Sequence, residues 1–111
     1  MNRLEKLILD SNKITGSIPP ELGELRNLKE LSLRENDLTG TIPGSLGQCT
    51  NLLELFLDGN SLEGSIPPGI FRSKKLEKLD LAKNHLTGTI PSQIGQLEKL
   101  QESKFLLNAY L

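Results

Sequence analysis

The sequence predicts a repeat solenoid, with one parallel β-sheet along a concave face and short 3-10 or irregular segments along the convex face. Three observations point there. Leucines recur every 24 residues, apolar and polar residues alternate just after each recurrence, and an Ile-Pro pair lies later in each unit. The 111 residues fit one domain, 1–111, and Leu occurs 24 times against 4% aromatic residues. One side-chain shape must therefore fill the interior repeatedly.

The units start at Leu4, Leu28, Leu52, Leu76 and Leu100, giving four repeats of 24 residues and a degenerate fifth. Early in each unit, Leu7, Leu31, Leu55 and Leu79 form one column, and Leu9, Leu33, Leu57 and Leu81 form the next. The alternation around them is that of a short strand with one buried and one exposed face. Successive strands stack sideways in the same direction, leaving the Leu side as core. Asn12, Asn36, Asn60, Asn84 and Asn108 follow. Their amides offer two donors and an acceptor to turn groups that would otherwise be buried unpaired. Gly16, Gly40, Gly64 and Gly88 tolerate positive φ where the chain bends, and Ile18-Pro19 with its three counterparts forces an extended approach. Segments such as Glu21 to Leu25 leave room only for a short 3-10 turn.

Written as LxxLxLxxNxLxGxIPxxLGxLxx, these columns resemble the plant-type leucine-rich repeat from Leu4 to about Leu100. Departures are few. Phe71 replaces the second Gly, Cys49 and Ser73 stand in the column of Leu25 and Leu97, and Ser103, Phe105 and Tyr110 occupy Leu positions in the fifth unit. The resemblance implies a binding surface of the kind found in receptor-kinase ectodomains, receptor-like proteins and secreted inhibitors of cell-wall-degrading enzymes. It also implies an extracellular or cell-surface setting. Members of the family are usually longer and carry Cys-paired caps, so the chain resembles an excised or truncated array.

Composition narrows the function classes. With 13 Lys+Arg against 14 Asp+Glu the net charge is -1, which does not favour a nucleic-acid partner. No apolar run approaches the roughly 20 residues that insertion across a membrane requires. The start of the chain lacks the apolar stretch of about 7 to 15 residues of a secretory signal, so a cytoplasmic setting stays open beside the extracellular one. Cys49, the single Cys, cannot form an internal disulfide and is expected to be a buried, inert thiol; His85 is expected on a solvated turn. One His and one Cys cannot assemble a nucleophile–base pair or a metal cluster. The expectation is a non-enzyme with no cofactor and no metal.

Function is expected among outward strand residues, which a rigid sheet holds and the core does not need. One outward column reads Lys6, Glu30, Glu54, Lys78 and Glu102; the next reads Ile8, Ser32, Phe56, Asp80 and Lys104; a third reads Asp10, Arg34, Asp58, Ala82 and Leu106. Neighbours about 4.8 Å apart would make opposite-charge pairs of Lys6 with Glu30, Glu54 with Lys78, and Arg34 with both Asp10 and Asp58. Phe56 reads as an exposed aromatic in the middle repeat, and aromatic and Arg residues dominate contact hot spots. The expected partner-binding set is Ile8, Arg34, Phe56, Asp58 and Asp80, for a protein or peptide ligand. The alternatives are a secreted hydrolase inhibitor and a structural, self-associating array.

Three further features stand out. Arg72, Lys74, Lys75, Lys78 and Lys83 form a basic cluster without interleaved aromatics, expected to be a solvated face. Thr15-Gly16-Ser17, Thr39-Gly40-Thr41 and Thr87-Gly88-Thr89 suggest a hydroxyl array resembling that of ice-binding solenoids, interrupted by Glu63. The ends look uncapped, with Leu and Ile uncovered at the first coil. Residues 1–63 carry net -4 and residues 64–111 net +3, so the ends should attract. Self-association is expected through Phe105, Leu106, Leu107 and Tyr110, the alternative being that this tail folds back to cap its own core.

Overall fold

The structure, a computed structural model, describes residues 3–100 together with the backbone of 102–104 and 109–110. Among the described residues the strands are β1 (Lys6–Ile8), β2 (Thr15–Ser17), β3 (Glu30–Ser32), β4 (Asp37–Thr39), β5 (Glu54–Phe56), β6 (Glu63–Gly64), β7 (Lys78–Asp80), β8 (His85–Gly88), β9 (Glu102–Lys104) and β10 (Ala109–Tyr110). The alternating Leu positions form the odd-numbered strands, which make one parallel sheet in the order β1-β3-β5-β7-β9. Its register sets Leu7 beside Leu31, Leu31 beside Leu55 and Leu55 beside Leu79, so each coil advances by one 24-residue unit. The even-numbered strands pair separately, β2 with β4, and β8 with both β6 and β10.

On the opposite side each Ile-Pro pair leads into a five-residue 3-10 helix: η1 (Pro20–Glu24), η2 (Gly44–Gln48), η3 (Pro68–Arg72) and η4 (Ser92–Gln96). Between the two sides lies a core in which Leu31, Leu55, Leu79, Leu57, Leu62 and Leu86 are at most 1% exposed. The ladder amides act as inferred. Asn60 accepts from Leu38 N–H at 3.1 Å and donates to the carbonyls of Leu33 and Leu57, at 2.9 and 3.1 Å, joining its own coil to the one before. Asn36 and Asn84 repeat this, whereas among the described residues the Asn12 side-chain amide donates only to the Asp10 carbonyl. The bend glycines Gly16, Gly40, Gly64 and Gly88 sit at φ between 78° and 85°.

Cys49 is fully buried, its thiol against the Leu22 carbonyl at 3.5 Å, and burial pushes its pKa up. In the same column the Ser73 hydroxyl donates to the Cys49 carbonyl at 3.0 Å, so a polar residue fits a Leu position by bonding the neighbouring coil. His85 is exposed, on strand β8 rather than a turn. Phe105, Leu106 and Leu107 lie outside the described residues; Tyr110 belongs to β10, whose backbone pairs with β8.

Candidate binding face on the strand side

Phe56, Arg34, Asp58 and Asp80 come together on the outer face of the five-stranded sheet. Phe56 closes β5 and Asp80 closes β7, paired in register. Arg34 and Asp58 follow two residues after the ends of β3 and β5, so both side chains lean over the same face. The Arg34 guanidinium lies 3.8 Å from the centre of the Phe56 ring. Its Nε donates to Asp58 Oδ1 at 3.0 Å, and a terminal nitrogen is 4.0 Å from Asp80 Oδ2. One cation therefore serves a ring and two carboxylates.

Two expectations need correction. Phe56 is not an exposed aromatic: it is 8% exposed, because Arg34 roofs its ring. Arg34 is the accessible part of the pair, its side chain 38% exposed. Nor does the Arg34 guanidinium pair with Asp10. The Asp10 carboxylate is taken by the Ser32 hydroxyl at 2.6 Å and by the backbone N–H of Arg34 at 2.9 Å, which fixes the turn after β3. Asp80 does the same within its own coil, accepting from Ala82 N–H at 3.0 Å. These bonds hold the chain so that Arg34 reaches forward to the later coils, a preference the outward column alone did not carry.

The expected lateral pairs divide. Lys6 and Glu30, and Glu54 and Lys78, are register neighbours, but among the described residues neither makes an ion pair within 4 Å. Lys29 and Glu5 pair instead at 3.4 Å, both well exposed and of little energetic weight. Ile8 stands at the edge strand, 51% exposed, two coils from Phe56 in the same column. The cluster is thus a compact centre over coils two to four with an apolar outlier at coil one.

Asp10, Asp58 and Asp80 around the single Arg34 guanidinium leave this cluster acidic. Asp58 shows the consequence: burial pushes its pKa above the ordinary carboxylate value, the neighbouring Asp80 charge adds to the rise, and Arg34 works against it. Among the described residues no group of three or more His, Cys, Asp or Glu is placed to hold a metal ion. On the even-numbered strands the hydroxyl rows are mixed: Ser17 lies beside Thr39, but Thr15 lies beside Asp37 and Glu63 beside His85.

The family model for Leucine rich repeat matches residues 2–62, more than half of the chain, and a second of the same description matches residues 75–97. The chain belongs to the leucine-rich repeat family. Among solved structures, this leucine-rich repeat chain is similar to the plant peptide hormone receptor RGFR1 in complex with RGF2. That match has 43% identity and a TM-score of 0.96 over 98% of this chain and 18% of the receptor chain. It is similar also to the BIR3–SERK2 complex from Arabidopsis thaliana, with 40% identity and a TM-score of 0.93 over 99% of this chain and 59% of the other. A plant ice-binding protein matches at 33% identity and a TM-score of 0.93, over 98% of this chain and 36% of the other. The chain thus spans less than two thirds of the length of each. A comparison with curated proteins gave no match. Among the described residues no helix is long and apolar enough to cross a membrane.

Proposed function

We propose that the chain is a protein- or peptide-recognition module of the receptor-ectodomain type, acting outside the cell, with its ligand on the outer face of the five-stranded sheet. The observation that carries this reading is the Arg34–Phe56–Asp58–Asp80 cluster. A roofed ring, one accessible guanidinium and two largely covered carboxylates are held on rigid strands without serving the Leu core. Preorganised Arg and aromatic groups lower the ordering cost of binding. The acidic balance favours a ligand with a basic or amide-rich segment that adds a second cation beside Asp80. Support comes also from the similar structures, where RGFR1 is in complex with RGF2 and SERK2 with BIR3.

The test uses a displayed library of random peptides, selected against the intact chain. Peptides that bind should lose about tenfold or more in affinity, roughly 1 to 3 kcal/mol, on Arg34→Ala or Asp80→Ala, and less on Ile8→Ala. Undiminished affinity in both cluster variants for every selected peptide would place recognition elsewhere.

A further inference from the structure

The 3-10 side carries a second feature, independent of the strand face. In η1 and η2 the coils stack so closely that a β-carbon at Gly23 would overlap the Ser45 carbonyl oxygen, and one at Gly47 the Gly69 carbonyl oxygen. Only glycine allows that approach. In η3 the same column holds Phe71, 1% exposed and part of the core cluster, so the next coil cannot approach there as closely as it does beside Gly23 and Gly47. The ring acts as a wedge. A cleft of about 270 Å³ opens between η3 and η4, bounded by Pro68, Phe71, Arg72, Lys74, Gln93 and Gln96 among others. A second depression of about 430 Å³ adjoins it, sharing Lys74 and Gln96 and adding Lys75, Glu98 and Lys99.

The basic cluster of the sequence is divided by the fold. Lys78 goes to strand β7, while Arg72, Lys74 and Lys75 stay on the 3-10 side, where the next coil brings Lys99 to them. Four cations then face one carboxylate, Glu98. Equivalent positions in the first two coils, Glu24, Arg26 and Asn27 with Gln48, Thr50 and Asn51, carry no net charge. Lys74 Nζ donates to Gln96 Oε1 at 2.8 Å and Lys75 Nζ to Asn51 Oδ1 at 2.9 Å. Both ammonium groups thus face neutral amides. Among the described residues none of the four cations has a carboxylate within 4 Å, so their charge is left to solvent or to a ligand.

We propose that the cleft opened by Phe71 binds an acidic segment of a partner protein, with its carboxylates against Lys74, Lys75, Lys99 and Arg72 and its backbone against the Gln93 and Gln96 amides. A peptide suits this cleft better than an acidic sugar chain or a single-stranded nucleic acid. Those ligands gain from aromatic faces on which rings stack, and among the described residues the ring lining the cleft, Phe71, is buried. Lysine and arginine at a shallow rim give long-range attraction and salt-sensitive binding.

The probe is a fluorescein-labelled Glu-rich peptide titrated into the intact chain by anisotropy, at low and high salt. Saturable binding is expected, weakened about tenfold or more by Lys74→Glu with Lys75→Glu, and within about twofold of the parent for Lys13→Glu with Lys29→Glu, an equal charge change elsewhere. Phe71→Gly, checked for folding by circular dichroism, should lose binding because coil four can then close on coil three. Asp80→Ala should leave it unchanged, which separates this site from the strand face. Equal losses in the two charge reversals, the absence of saturable binding, or binding of a uronate oligosaccharide in place of the peptide would overturn the proposal.

Discussion

Coil one and coil three are built from the same columns, yet they differ in almost every measure of order. Leu55, Leu57 and Leu62 in coil three are fully buried, whereas Leu7 and Ile14 in coil one are half-buried and Leu9 is 38% exposed. The Asn60 side-chain amide bonds two coils, while among the described residues that of Asn12 bonds only its own turn. A depression of about 290 Å³ lies open along Leu7, Leu9, Ile14, Ile18 and Leu22. The residue types are the same; the neighbours are not. In a solenoid a column position is worth what the adjacent coils make of it.

The sharpest way to test that comparison is to truncate matched leucines. Leu55→Ala should cost about 2 to 5 kcal/mol and Leu7→Ala less than about 1.5, measured by urea unfolding, because only the first leaves an enclosed cavity. Equal losses would mean that burial in neighbouring coils does not set the value of the column. A smaller contrast is expected from the amides: Asn60→Ala should lose about 1 to 3 kcal/mol by stranding buried carbonyls, and Asn12→Ala under about 1. Phe56→Ala should cost about 2 kcal/mol, since the ring is packed beneath Arg34 and its removal is not a surface change. An unchanged melting temperature for Phe56→Ala would refute the roofed arrangement.

The smallest effect expected is in pH dependence. Asp58 binds its proton more tightly folded than unfolded, where the ordinary value is 3.8. Between that value and the raised one the folded chain holds more protons, so this group's contribution to stability falls as pH rises through the window and returns on acidification. Relative to Asp58→Asn, the parent should gain stability as pH is lowered into that range. Parallel pH profiles for the two chains would contradict the raised Asp58.

Most of the architecture was legible because each column serves one physical end. Leu alternation makes strands, Asn satisfies turn groups, Gly supplies positive φ, and Ile-Pro leads into a 3-10 turn. One column escaped the reading. Ser11, Glu35, Gly59 and Lys83 all sit at positive φ, between 53° and 73°, but only Gly59 signals it, since the other three accept a conformation unfavourable for side chains. The candidate binding face was half legible. Register and outward direction placed Arg34, Phe56, Asp58 and Asp80 together, but spacing cannot say which acid Arg34 chooses, and that choice depends on Asp10 capturing the Arg34 backbone N–H. The cleft beside Phe71 was visible only as a departure from Gly, because its basic lining joins residues 72 to 75 with Lys99 from the next coil.

The most direct test of the central claim, that recognition uses the strand face, is amide hydrogen exchange on the intact chain with and without a peptide selected from the displayed library. Added protection is predicted in β3, β5 and β7 and in the turns bearing Arg34, Asp58 and Ala82. Protection confined to η1 through η4, with the odd-numbered strands unchanged, would contradict it.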